Sequence, residues 1–219
     1  PEKSQTCYRR AGEILEWLAR SQDTLCTTIP VKLLAGGAFQ LGGQPAMAVG
    51  LLRGFSNKEG NSSLYAAFFT ADFDEAVRLS IRFWKKNQSH ITRGRTERIL
   101  LNEKSYSVIE RFMAVELVRC ISLISASLRL DNVERINAAL KKLLFIDNYL
   151  LRTMDMFTWM LTHLLRKTTD IYLHNSIYGS LDVIHDTVYP WVDQLFDKFA
   201  RRQYTQGRGI LWPSQVVSI

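Results

Sequence analysis

The chain has 219 residues, with 28 Lys and Arg against 21 Asp and Glu, a formal net charge of +7, and 47% hydrophobic side chains. That composition excludes wholesale disorder and is enough for one large or two small domains with a real core. Twelve Gly and five scattered Pro are too few for a sandwich that turns about every ten residues, and no apolar run approaches the roughly 20 residues that cross a bilayer.

Helical periodicity runs through the chain. Tyr8, Ala11, Ile14, Leu15 and Leu18 recur at three- and four-residue steps and predict one apolar stripe. Leu33 to Leu41 reads as a short helix stopped by Gly42-Gly43, and Pro45 stands where a first helical residue belongs. The helix it opens runs through Ala48, Leu51 and Leu52 to Gly54 and completes a tight hairpin. Gly36-Gly37 and Gly42-Gly43 have no preceding strand and no following lysine, so they read as close helix packing and not as a phosphate loop.

A second hairpin joins Leu64–Thr70 to a helix through Ala76, Val77, Leu79, Phe83 and Trp84, with Asp72 as cap and Glu75 answering it. Glu103 to Leu130 reads as one long helix, and Asp131-Asn132-Val133-Glu134 opens another through Ile136, Ala139, Leu140 and Leu143. Tyr149 to Tyr178 reads as a further apolar-rich helical stretch, and Leu181 to Tyr204 as a last helix that Pro190 kinks or divides. Helix starts at Gln44, Asp72 and Asp131 are unequally spaced. The fold class is therefore all-α, in irregular stacked helical hairpins loosely like tetratricopeptide repeats. The helical body covers residues 1–206, and 207–219 form a linker and an extended tail.

The first residue is Pro1 and not Met, which suggests a piece of something longer. No charged-then-apolar leader marks export, and Cys7, Cys26 and Cys120 are too dispersed for a disulfide framework or zinc knuckle. They read as reduced thiols of a cytoplasmic protein.

Catalytic signatures are missing: the chain has no Gly-x-Ser-x-Gly, His-Glu-x-x-His, Cys-x-x-Cys or phosphate loop. His163, His174 and His185 recur every eleven residues and would share a face only on an unbroken helix, which Gly179-Ser180 interrupts. Metal-binding helices use spacings of three or four, and the Asp182, His185, Asp186 trio has nothing nearby to complete an acid–base site. A small all-α metalloenzyme is the weakest of three readings.

Two basic clusters stand out. Arg82, Lys85, Lys86, Arg93, Arg95 and Arg98 face a single acid, Glu97, over a helix end and the Gly94 loop. Mobile cations there could follow a phosphate backbone, with Trp84 and His90 stacking on bases. The second cluster is Lys198, Arg201, Arg202 and Arg208, with Tyr204 interleaved. Each also reads as a solvated helix face with cations favoured near the C-terminus.

The tail Arg208-Gly209-Ile210-Leu211-Trp212-Pro213-Ser214-Gln215 resembles the Q motif ahead of the first ATPase domain in superfamily 2 helicases of the DEAD/DEAH-box and Ski2-like kind. The resemblance implies that Gln215 hydrogen-bonds the adenine of ATP, with Trp212 and Pro213 shaping the base pocket. Val216 to Ile219 is similar to the strand that runs into the phosphate loop, although family members place a helix's worth of residues before it. The stretch from Ala35 to Ala46 resembles a hairpin ahead of the core in some bacterial helicases of anti-phage defence, including the Hachiman type. Together these segments cover about 25 residues. They imply an N-terminal accessory domain that touches adenine only, while Mg belongs to the parent enzyme. The implied partners are the downstream helicase core, DNA or RNA and an effector nuclease subunit, with no membrane. The alternative is a free-standing helical scaffold that binds another protein.

Overall fold

Two short helices are apolar almost all the way round, and burial on every side is the only arrangement that satisfies such a pattern. The computed structural model describes residues 2–21, 30–55, 61–94, 99, 108–130, 133–153, 155–174 and 191, and both helices lie at its centre. They are α2 (Val31–Leu41) and α4 (Asn61–Phe69). Around them pack α1 (Glu2–Ser21), α3 (Pro45–Leu52), α5 (Phe73–Lys86), α6 (Gln88–Thr92), α7 (Val108–Leu130), α8 (Val133–Thr153) and α9 (Met156–His174), and a 3-10 turn at Arg53–Phe55 follows α3. All regular structure among the described residues is helical, as the periodicity predicts.

Missing Cβ atoms make α2 the hub. A methyl group on Gly36 would lie 2.6 Å from Leu52 Cγ on α3, one on Gly37 2.8 Å from Phe69 Cζ on α4, and one on Gly42 2.8 Å from the Arg9 backbone nitrogen on α1. The glycines therefore serve close helix approach. Helix α9 also packs back on α2, and it meets α4 where Tyr172 contacts Phe68 across 104 residues of sequence. The hairpins thus close on one another, whereas in a linear array each would touch only its neighbours.

The turns follow from local chemistry. At the end of α2, Gln44 N–H donates to Phe39 C=O at 2.9 Å and Gly43 N–H to Gln40 C=O at 3.3 Å, with Gly43 at φ +71°. The end of α4 repeats this pattern through Asp72 N–H to Ala67 C=O (2.9 Å) and Ala71 N–H to Phe68 C=O (3.1 Å). Both are Schellman motifs, the second with Ala71 in the left-handed region at φ +57°. Asp72 then caps α5 by accepting from Glu75 N–H at 3.1 Å. Glu75 does not answer it as expected. Its carboxylate is engaged by Arg78, and the Asp72 N–H is already used by Ala67.

The helical stretch expected from Tyr149 to Tyr178 falls, in its described part, on two helices. Tyr149 and Leu150 belong to α8, and Asp155 opens α9 by accepting from Thr158 N–H at 3.2 Å. On the first helix Leu15 is buried, but Ile14, assigned to the same stripe, is exposed. The long helix expected from Glu103 is described from Val108 onward. Cys26, the Asp131-Asn132 start, the Pro190 helix and the tail lie outside the described residues.

Helix α9 buries four threonines beside Leu161, Leu164, Leu165 and Tyr172. Thr162 and Thr169 donate back to Thr158 C=O and Leu165 C=O, each at 2.8 Å, which lets a hydroxyl enter the core at little cost. Tyr172 Oη, 2.9 Å from both Phe68 C=O and Phe69 C=O, ties α9 to the end of α4, and burial raises the phenol pKa.

Candidate nucleic-acid and partner surfaces

Arg82, Lys85 and Lys86 fall at i, i+3 and i+4, so α5 carries them on one face, and all three are exposed. Arg78 lies one turn earlier on the same face, but Glu75 holds its guanidinium. Asn87 breaks the helix by accepting a new start, and its side-chain amide donates to Phe83 C=O at 2.9 Å. The short α6 then leads to exposed Arg93 and to Gly94 at φ +65°. The described part of the first basic cluster is therefore a short cationic row followed by one cation beyond a turn.

Trp84 is not available for base stacking, contrary to expectation. Its indole Nε1 donates to Ser122 Oγ at 3.2 Å, its ring meets Phe83 edge-on, and the Arg119 guanidinium sits 5.8 Å from its centroid. The ring is thereby spent fastening α5 to α7. Its half-buried position on the helix face towards α7 decides this, although the next two residues, Lys85 and Lys86, are exposed. His90 stays half-buried on α6.

The histidines separate. His174 is exposed at the end of α9, whereas His163 joins a cluster at the meeting of α1, α8 and α9. Asp147 Oδ2 accepts from Arg166 Nε at 3.0 Å, and His163 Nδ1 lies 3.5 Å from the same oxygen. Tyr8 Oη lies 3.3 Å from His163 Nε2, and Trp159 packs against the imidazole with centroids 5.4 Å apart. A carboxylate beside Nδ1 favours the proton there, which leaves Nε2 to accept from the phenol. Burial raises the Tyr8 pKa, and the Arg166 guanidinium only partly opposes it. The Tyr8–His163 contact together with the Asp147–Arg166 pair ties α1, α8 and α9 to one another and does not make a nucleophile. Among the described residues no three His, Cys, Asp or Glu side chains are grouped to hold a metal ion. Cys120 is buried, and desolvation foremost, with Glu116 next, pushes its thiol up to about 12. It is not poised to react.

One surface escaped the sequence reading. Between α7 and α8 runs an open trough of about 530 Å³, walled by Phe112, Met113, Phe145 and Ile146. Buried Glu116 forms part of its floor, paired with Arg119 and 3.4 Å from Lys142 Nζ. The signal was Leu143-Leu144-Phe145-Ile146. A helix can turn only part of four consecutive apolar residues inward, so Leu143 and Ile146 are buried while Leu144 and Phe145 face out.

Arg95, Arg98, Arg201, Arg202, Trp212, Pro213 and Gln215 lie outside the described residues, as do Lys198, Arg208 and the Asp182, His185, Asp186 trio. No described helix is long and apolar enough to cross a membrane. The chain matches no protein-family model, no curated protein and no solved structure.

Proposed function

We propose that this chain is a helical accessory module of an ATP-dependent superfamily 2 helicase, probing nucleic acid through the α5 face and lending residues of its tail to the motor. The observation that carries the reading is the exposed row Arg82, Lys85 and Lys86, continued by Arg93. Side chains of this type neutralise phosphates and release counterions whatever the base sequence. Arg95, Arg98, Arg201 and Arg202 extend the same surface in this reading. Trp212 and Pro213 frame the adenine, and Gln215 pairs with its edge through one donor and one acceptor. A cytoplasmic place, a role in anti-phage defence and an effector nuclease partner belong to the same proposal.

The experiment is salt-dependent DNA and RNA binding by the triple variant Arg82→Glu, Lys85→Glu, Lys86→Glu. Affinity falls at least about tenfold at low salt, and the log–log salt slope drops by about 2 to 3, near one for each lost phosphate contact. Unchanged affinity and slope would falsify the nucleic-acid role of this face. In the parent polypeptide, Gln215→Ala raises the ATP concentration for half-maximal hydrolysis about tenfold, the cost of roughly one charge-neutral hydrogen bond in a dry pocket. An unaltered ATP response from the folded protein removes the adenine assignment.

A free-standing scaffold for another protein is the second reading, and the trough between α7 and α8 favours it.

A further inference from the structure

Phe112 is 48% exposed and Phe145 is 66% exposed, on facing helices of one trough. Ile109, one turn before Phe112 on α7, is 57% exposed. Burying a side chain of this size stabilises by about 1.5–3 kcal/mol, and the fold forgoes that at adjoining positions. Neither ring is needed by the core, which α8 satisfies through Ile136, Ala139, Leu143, Ile146 and Leu150 at alternating steps of three and four.

Charge at the trough is unbalanced. Arg119, Lys141 and Lys142 line it against the single carboxylate of Glu116, which already engages Arg119 and Lys142. The net charge there is +2, and Lys141 has no ion-pair partner among the described residues. A second copy of this face would set like charges against each other, so self-association is disfavoured. A nucleic-acid strand would meet the Glu116 carboxylate in the floor and aliphatic walls at Met113 and Ile146. Those walls suit an apolar side chain better than a phosphate.

We infer that the α7–α8 trough is a docking site for an acidic amphipathic helix of a partner protein. From Phe112 to Arg119 the trough follows about 10 Å of α7, two helical turns. A third helix laid along it places apolar side chains at i and i+3 or i+4 against Phe112 and Phe145. Its carboxylates, one to two turns further on, meet Arg119 and Lys141. The aromatic end supplies anchorage, and the cations set orientation and exclude basic partners. This deepens the partner-binding reading, and its tests leave the α5 row untouched.

The probe is a fluorescein-labelled 18-residue Leu/Ala/Glu peptide with leucines on one helical face, titrated with the full chain. Two controls accompany it, one with every Glu replaced by Lys and one of the same composition in scrambled order. A labelled oligothymidine forms the third arm. The amphipathic acidic peptide binds at least tenfold tighter than either peptide control, and Phe145→Ser and Lys141→Glu each weaken it about tenfold. Both side chains are exposed, so these variants keep the parent's circular dichroism, and Phe112→Ser serves as the independent replacement. Equal affinity for the scrambled peptide overturns the proposal, as does binding that ignores Phe145→Ser and Phe112→Ser. Loss of oligothymidine binding in these variants, with peptide binding unchanged, reassigns the trough to nucleic acid. Sedimentation showing dimers of the parent chain that Phe145→Ser dissociates reassigns it to a second copy.

Discussion

Arg166→Met is expected to lower the unfolding free energy by about 3–5 kcal/mol, read as a fall in the urea midpoint at unchanged slope. Asp147 is 6% exposed, and Arg166 Nε approaches its Oδ2 at 3.0 Å. Its Oδ1 accepts no hydrogen bond among the described residues, so the guanidinium is the main compensation for a carboxylate out of water. Removing it leaves the charge with His163 alone, at 3.5 Å. Methionine keeps most of the arginine stem's volume, which confines the loss to electrostatics. The surface pairs Arg10–Glu13 and Arg20–Glu16 are exposed on α1, and the same substitution at Arg10 is expected to cost less than about 1 kcal/mol. Pairing Arg166→Met with Asp147→Leu recovers much of the loss, because both polar groups then leave together. A single variant within about 1 kcal/mol of the parent would show that water already solvates Asp147.

Much of this core was legible because its signals are local. Gly43 and Pro45 mark a helix end and a helix start through φ alone, and Asp72 reaches a backbone N–H three residues away. The division between α8 and α9 was hidden because Thr153-Met154-Asp155 contains neither Gly nor Pro. Asp is only mildly unfavourable inside a helix, so its role as a cap depends on the chain turning there. Asp147 stood in view, four residues after Leu143 and three before Leu150 on the buried stripe, but its arginine depends on the register of α9 against α8. Trp84 illustrates the same limit. Its neighbours Lys85 and Lys86 advertise a solvated face, yet a rotation of about 100° per residue turns the indole towards α7. Arg82, Lys85, Lys86 and Arg93 are exposed, whereas Arg95, Arg98, Arg201, Arg202 and the adenine residues lie outside the described segments.

Gly42→Ala and Gly50→Ala should move stability in opposite directions, although the chemical change is identical. At Gly42 the added methyl would sit 2.8 Å from the nitrogen and 2.9 Å from the Cα of Arg9. Those are backbone atoms, so no rotamer relieves the contact and α1 must move off α2. Gly42 itself has φ −77°, which alanine adopts freely, so the cost is purely one of approach. Overpacking of this kind costs about 1–3 kcal/mol. Gly50 lies within α3, where a methyl meets nothing within 4 Å. Alanine there gains about 0.5–1 kcal/mol from helix propensity and the reduced freedom of the unfolded chain. Urea unfolding of the two variants beside the parent gives both signs in one experiment. Because α1 carries Tyr8, loosening it in Gly42→Ala also parts Tyr8 Oη from His163, and the His163 imidazole resonance shifts in NMR. A neutral Gly42→Ala with an unmoved imidazole would mean that α1 is not seated against the end of α2. A destabilising Gly50→Ala would mean that the outer face of α3 is covered.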